Sequence, residues 1–269
     1  NKNYRQDCEG EDRATYSLPF GQGELIARLS EVNPNIAVVI VSGNAVAMPW
    51  AEKAHAIVQS WYLGSMGGEA LADILSGDIN PSGKLPFSIP FRLEDCAAHS
   101  FGETAYPGVN GNVNYEEGLL VGYRWHDTRG IKARYPFGHG LSYTTFAYSD
   151  LRTDRRQYAP TDTITVTVRL RNSGKAAGAE TVQFYAAQKN PRLPRPAKEL
   201  KAFSKIRLEP GESRDVEVRI PVANLAYYND TLRRWVVDAD EFAIHAGSSS
   251  TDLRGKASFK ISESSLAAR

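Results

Sequence analysis

Apolar residues fall at helical spacing between Gln22 and Val32, where Leu25, Ile26, Leu29 and Val32 share one stripe and Asn33-Pro34-Asn35 ends it. The continuous apolar run from Ile36 to Val41 predicts a strand covered on both faces, the habit of parallel sheets. A second unit repeats this order: a short helix near Glu52, a strand over Ala56 to Tyr62, the turn Gly64-Ser65-Met66-Gly67-Gly68 and a helix from Glu69 to Leu75. "DINPSG", residues 78–83, is turn chemistry, and Lys84 to Ile89 reads as a further short strand. Repetition of this kind predicts an α/β layer structure.

From Glu94 to Tyr135 the periodicity fades into a stretch rich in glycine, asparagine and histidine, and irregular segments this long are functional or disordered. Beyond Phe146 the period becomes two. Ile164, Val166, Val168 and Leu170 alternate with polar residues, as do Val182 and Phe184, then Val216, Val218 and Ile220, then Phe242, Ile244 and Ala246. "NSGKAAG" and "EPGES" supply turns between them, which predicts an antiparallel β-sandwich with its boundary near Phe146 to Leu151.

Composition narrows the partners. The 269 residues, 42% hydrophobic and 10% aromatic, suffice for one large or two ordinary packed domains. With 32 Lys and Arg against 31 Asp and Glu the net charge is +1, so bulk electrostatics give no reason to expect nucleic acid. Two cysteines, Cys8 and Cys96, make neither a disulfide framework nor a zinc site, and both read as free thiols. No apolar run approaches the roughly 20 residues of a membrane-spanning helix, which predicts a soluble chain. The first residue is not Met, so a preceding signal segment, and with it the compartment, stays open.

Three candidate sites compete. "GSMGGEA" opens a helix as a phosphate cradle would, but it lacks the Walker lysine, and tight strand-to-helix packing explains its glycines. No Gly-x-Ser-x-Gly elbow supports a catalytic triad, and His139 in "PFGHGLSY" reads as part of a turn. Trp50, Trp61, Trp125 and Trp235 fall in or beside regular segments, as packing residues do. "EGEDR", residues 9–13, precedes the first helix; composition alone leaves open a solvated, self-paired turn and a catalytic carboxylate.

A resemblance bears on that choice. "EGEDR", "LPFGQGELI", "NPNIAVVIVSGNAVAMPW", "WYLGSMGGEALADILSGDINPSGKLPFSIP", "NYEEGLLVGYRWHD" and "YPFGHGLSYTTF" occur in order, and together they resemble the C-terminal half of a family 3 glycoside hydrolase of the β-glucosidase type. "RPAKELKAFSKIRLEPGES" and "WVVDADEFAIHAGSSS" resemble the fibronectin type III-like domain that follows in many such enzymes. The implied architecture is α/β plus all-β: part of an α/β sandwich over residues 1–146, then a fibronectin type III-like antiparallel sandwich over 147–269.

The implied activity is retaining, exo-acting hydrolysis of terminal β-D-glucosyl residues. In the family the nucleophilic aspartate stands on a (β/α)8 barrel, which this sequence does not contain, and a loop of the α/β sandwich supplies the general acid/base. Aligning the family's EGxDR on Gly10, Asp12 and Arg13 places the acid/base on Glu9. Glu11, where many relatives carry an aromatic residue, is the second choice, and Asp12 with Arg13 reads as a loop-fixing pair. Tyr4, His99 and Tyr106 lie in loops that would border a sugar pocket. The implied partners are a β-glucoside or β-linked oligosaccharide and the barrel portion of the enzyme, with no membrane. The mechanism requires no metal or organic cofactor, and the resemblance favours a periplasmic or secreted enzyme. A β-xylosidase or another β-glycosidase of the same family is the alternative enzyme. A non-catalytic carbohydrate-binding or scaffold module is the alternative of another class, with Tyr227 and Tyr228 beside Asn229 as its best aromatic platform.

Overall fold

A computed structural model describes residue 13 and residues 15–267. The described chain forms two compact units. The first comprises its residues up to Ile79 with Ser88–Asn114 and Lys132–Tyr135; the second comprises Asn80–Phe87, Tyr115–Ile131 and everything from Pro136 onward.

In the first unit, helix α1 (Gln22–Val32) covers the span its apolar stripe predicts. Asn33 closes it by returning its backbone N–H to Leu29, and the Asn33 side chain then accepts from the Asn35 amide at 2.9 Å. Strand β1 (Ala37–Ile40) pairs in parallel with β2 (Ala56–Gln59), joined by a single 3₁₀ turn at Ala51–Lys53. The second strand stops short of Tyr62 because Trp61 takes a left-handed backbone, φ 58°. Helix α2 (Gly67–Ser76) ends on Gly77 at φ 89°, where a side chain would be strained.

The segment from Lys84 to Ser88 is not a strand. Only Ile89–Pro90 (β3) is extended, and it pairs antiparallel with Ala133–Tyr135 (β4), which the sequence pattern does not announce. α1 also differs from expectation in what it buries. Leu25, Leu29 and Val32 are exposed, at 56, 46 and 81%, so most of the stripe faces outward, with Ile26 half-buried.

The second unit is built on a sandwich. Its strands are β5 (Phe146–Thr153), β6 (Gln157–Tyr158), β7 (Thr163–Asn172), β8 (Gly178–Gln188), β9 (Glu199–Leu208), β10 (Ser213–Pro221), β11 (Tyr227–Asn229), β12 (Arg234–Val237), β13 (Glu241–Gly247), β14 (Leu253–Ile261) and β15 (Ser265–Ala267). One sheet has the order β10-β7-β5, the other β6-β14-β13-β8-β9, and a small third sheet runs β11-β12-β15. Pairing is antiparallel except between β14 and β6. Val166, Val168 and Leu170 of β7 meet Val182 and Phe184 of β8, Val216 of β10 and Ile244 of β13 in one core, the period-two residues the pattern singles out. The fold class is therefore α/β plus all-β.

Segments from before the sandwich complete this unit, α3 (Tyr123–Arg129) among them. The Tyr123 hydroxyl accepts from the Leu200 amide at 2.8 Å, and Lys198 bonds Asp127 at 2.7 Å. Lys84 reaches Glu180 of β8 at 3.0 Å with both side chains largely buried, and it also donates to the carbonyl of Gly140. The glycines of "PFGHGLSY" are needed for close approach. A Cβ on Gly140 would lie 2.0 Å from the carbonyl oxygen of Gly83. Gly140→Ala should therefore destabilise this unit by about 1–3 kcal/mol through forced backbone movement, read as a lowered melting temperature in calorimetry.

Candidate active site

Arg13, the last residue of the "EGEDR" block, is fixed by the main chain of a distant loop. Its Nη2 donates to the carbonyl oxygen of Ala45, five residues beyond the end of β1. That loop is itself held. Val46 and Met48 are buried, Gln59 donates to the Ser42 carbonyl at 3.1 Å, and the Ser60 hydroxyl donates to Ile40 at 2.9 Å. Arg13 is thus anchored beyond the carboxyl ends of parallel strands, where open α/β sheets place their ligands.

Tyr16 extends the anchor. Its carbonyl accepts from the Ala47 amide at 2.8 Å and its hydroxyl donates to Pro90 at 3.0 Å, tying the same segment to β3. Nothing in the sequence pattern marks Tyr16 as an anchoring residue. Burial lifts its phenol above the usual range; Cys96 and Asp95 add to that and Arg13 opposes it, so these four side chains share one neighbourhood.

Residues 92–100 fold as two successive 3₁₀ turns. Arg92 and Asp95 close the first, with Nη2 to Oδ1 at 2.9 Å, and the Ser100 hydroxyl donates back to the Cys96 carbonyl at 2.7 Å. This places His99 edge-on against Tyr106, with ring centroids 4.7 Å apart at 62°. Two of the residues expected to border a sugar pocket are therefore brought together, on a segment whose Asp95 and Cys96 adjoin the Arg13 anchor. Tyr4, Glu9, Glu11, Asp12 and Cys8 lie outside the described residues, and with them the proposed pairing of Asp12 with Arg13.

Cys96 is a free thiol. Burial, with Asp95 and Glu94 nearby, pushes its pKa up to about 11. At pH 8 its thiolate fraction is then about two orders of magnitude below that of an exposed cysteine. Alkylation by iodoacetamide, followed on the Cys96 peptide by mass spectrometry, should be slower by about that factor in the native chain than after denaturation.

The other expectations sort by packing. A Cβ on Gly67 would lie 2.5 Å from the Cβ of Leu63, so close packing in the strand-to-helix turn accounts for this glycine. Trp50 and Trp125 are buried, at 3 and 6% exposure. Trp61 differs, since a half-buried indole on a left-handed backbone at the carboxyl end of β2 is a strained arrangement of the kind that clusters at ligand-facing turns. Its signal in the sequence is only the glycine-rich turn that follows. Tyr228 is 47% exposed but lies edge-on to Trp235 at 5.7 Å, while Tyr227 is buried.

Residues 1–143 match the profile described as glycosyl hydrolase family 3 C-terminal domain, and residues 180–250 match a fibronectin type III-like domain. A beta-glucosidase of Bacteroides ovatus is 50% identical over 97% of this chain and 35% of its own length. The thermostable beta-glucosidase B of Acetivibrio thermocellus is 42% identical over 95% of this chain and 33% of its own. Among solved structures, the beta-glucosidase from Kluyveromyces marxianus in complex with glucose superposes with a TM-score of 0.89 at 39% identity, over 96% of this chain and 30% of that one. The chain spans about a third of the length of the curated relatives it matches.

Proposed function

Since the chain belongs to family 3 of the glycosyl hydrolases, we propose that it is the C-terminal portion of a retaining, exo-acting β-glucosidase in which Glu9 is the general acid/base. One observation carries the reading of the site. The segment leaving the "EGEDR" block is fastened, through Arg13 and Tyr16, beyond the carboxyl ends of two parallel strands and beside the turn that carries His99. A proton donor needs such an anchor, because misplacement by an ångström costs rate steeply.

Retention requires two carboxyl groups about 5 to 5.5 Å apart, one attacking the anomeric carbon and one protonating the departing oxygen. Glu9 supplies the second and later takes a proton from the water that releases the sugar. The nucleophilic aspartate belongs to the barrel portion, outside this sequence. The opposite charge requirements of the two carboxyls are met when the donor is partly buried beside a negative nucleophile, which holds its proton on near neutral pH. Arg13 fixes the loop, and the His99–Tyr106 pair offers an edge and an apolar face to a pyranose.

The full-length enzyme should hydrolyse aryl β-glucosides faster than aryl β-xylosides and release the β-anomer first, followed by proton NMR before mutarotation. First release of the α-anomer would overturn the retaining mechanism. Preference for the xyloside would move the assignment to a β-xylosidase. The relatives' names as beta-glucosidases, and the glucose held by one of the similar structures, support the glucosyl choice.

A further inference from the structure

Between Gly102 and Asn114 the chain of the first unit doubles back as a latched loop. The Gly108 amide donates to the Glu103 carbonyl at 2.8 Å and the Asn114 amide to that of Thr104 at 2.9 Å. At the tip, Val109 and Asn112 exchange both main-chain bonds, at 2.9 and 3.0 Å, across a two-residue turn of Asn110 and Gly111. Their φ angles are 53° and 75°, the positive pair that type I′ hairpin turns require and that Asn-Gly supplies. Gly108 leaves no slack beneath the tip. A Cβ there would lie 2.5 Å from the Asn112 carbonyl oxygen.

The dipeptide that makes this turn is also reactive. A main-chain nitrogen that follows asparagine can attack that residue's side-chain Cγ, and the approach is least obstructed when the following residue has no Cβ. Asn110-Gly111 is the only Asn-Gly in the sequence. Both residues are exposed, and among the described residues neither the Asn110 side chain nor the Gly111 amide has a hydrogen-bond partner; only the Asn110 carbonyl is engaged, by Asn112 Nδ2 at 3.4 Å. Other asparagines are hindered. Asn33, Asn80 and Asn190 precede prolines, which have no N–H to lose, and Asn172 is fully buried with its side-chain amide bonded to Ala176 and Leu208. Asn112 and Asn114 precede Val113 and Tyr115, whose side chains crowd the attacking nitrogen. At Asn110 the attack needs the Gly111 peptide to rotate out of the turn. The two tip bonds must open for that, and exposed bonds with little packed around them open at small cost.

We propose that Asn110 is a site of covalent modification, deamidation through a cyclic imide. The Gly111 nitrogen bonds to Cγ, the displaced amide nitrogen leaves as ammonia with the proton that Gly111 gives up, and water opens the ring at either carbonyl. The products are aspartate and isoaspartate, and each adds a negative charge to the loop. Isoaspartate also routes the main chain through the side-chain carbon, one methylene longer, so Val109 and Asn112 can no longer close both bonds and the loop loses its latch. The site does not depend on the catalytic reading.

Full-length enzyme kept at mildly alkaline pH should gain the mass of one deamidation in the tryptic peptide Leu93–Arg124, and fragmentation should place it on Asn110 about tenfold ahead of Asn112 and Asn114. Hydroxylamine added during the incubation should intercept the imide and cut the native chain between Asn110 and Gly111. Asn110→Gly keeps a residue suited to positive φ and should abolish both the mass gain and the cut. Hydrogen exchange over residues 103–114 should lose its protection as isoaspartate accumulates. Modification that appears only after denaturation means that the turn shields Asn110, and it overturns the proposal. A mass gain without hydroxylamine cleavage is direct hydrolysis and overturns the imide, while exchange that stays unchanged overturns the loss of the latch.

Discussion

Glu9→Gln in the full-length enzyme should lower turnover of substrates with poor leaving groups by about 10² to 10⁴-fold, the usual worth of a positioned general acid. Glutamine keeps the size and the polar contacts of the loop but has no proton to give. Aryl glucosides with good leaving groups depart without protonation, so their first step should survive. The second step would still lack its general base, and the glycosyl-enzyme should accumulate as a burst. Azide needs no deprotonation to attack, so adding it should restore turnover and give the β-glycosyl azide. Glu11→Gln should show neither the burst nor the rescue. If rescue follows Glu11→Gln instead, the acid lies two residues further along and the alignment of "EGEDR" is displaced.

The second large effect concerns the chain by itself, which should show no turnover of aryl β-glucosides at any pH. It spans about a third of its relatives and, in the function proposed above, supplies only one of the two carboxyls that retention needs. Its first unit also presents apolar surface: Leu25, Leu29 and Val32 of α1 are exposed, and among the described residues β1 and β2 form a two-stranded sheet. Binding of a dye such as ANS should be strong for the chain and should fall when the proposed barrel portion is supplied as a separate polypeptide. Activity should appear in the same titration. Turnover by the purified chain without that addition would place both catalytic carboxyls within these 269 residues and refute the proposed division.

Much of the fold is legible along the chain wherever one face of an element is buried and the other is not. β7 reads cleanly because Ile164, Val166, Val168 and Leu170 point into the core while their neighbours meet water. The alternation fails in β8, where Val182 to Ala186 are all buried, because Gln183 and Tyr185 meet Gly138 and Tyr123 on the outer face. α3 is illegible for a related reason. Its buried residues are Tyr123, Trp125 and His126, two aromatics and a histidine with no aliphatic stripe, and His126 is satisfied by the Ile131 carbonyl at 3.1 Å. Strands of two or three residues such as β3 and β4 are too short to set up any period.

The site divides in the same way. His99 and Tyr106 stand out in the sequence as rings in a long irregular stretch, but nothing in the pattern announces that they pack edge-on against one another. What holds Arg13 was not legible, because its partner is the main-chain oxygen of Ala45, and a carbonyl is present at every position. Tyr16 was missed on the same ground, since its acceptor is the carbonyl of Pro90.

The order in which the second unit's pieces leave the ribosome follows from its interleaved connectivity. Asn80 donates to the carbonyl of Ala177, 97 residues further along, at 2.9 Å. At about 5–20 residues per second, synthesis leaves the Asn80 segment waiting roughly 5 to 20 s for that partner. Lys84 waits as long for Glu180, and Tyr123 waits roughly 4 to 15 s for Leu200. Within those seconds the intervening residues 88–114 and 132–135, which belong to the first unit, are already out. The sandwich is thus the last body to close although its earliest segment precedes α3, and a nascent chain stalled at the end of β7 would hold a lysine and an asparagine whose partners Glu180 and Ala177 do not yet exist.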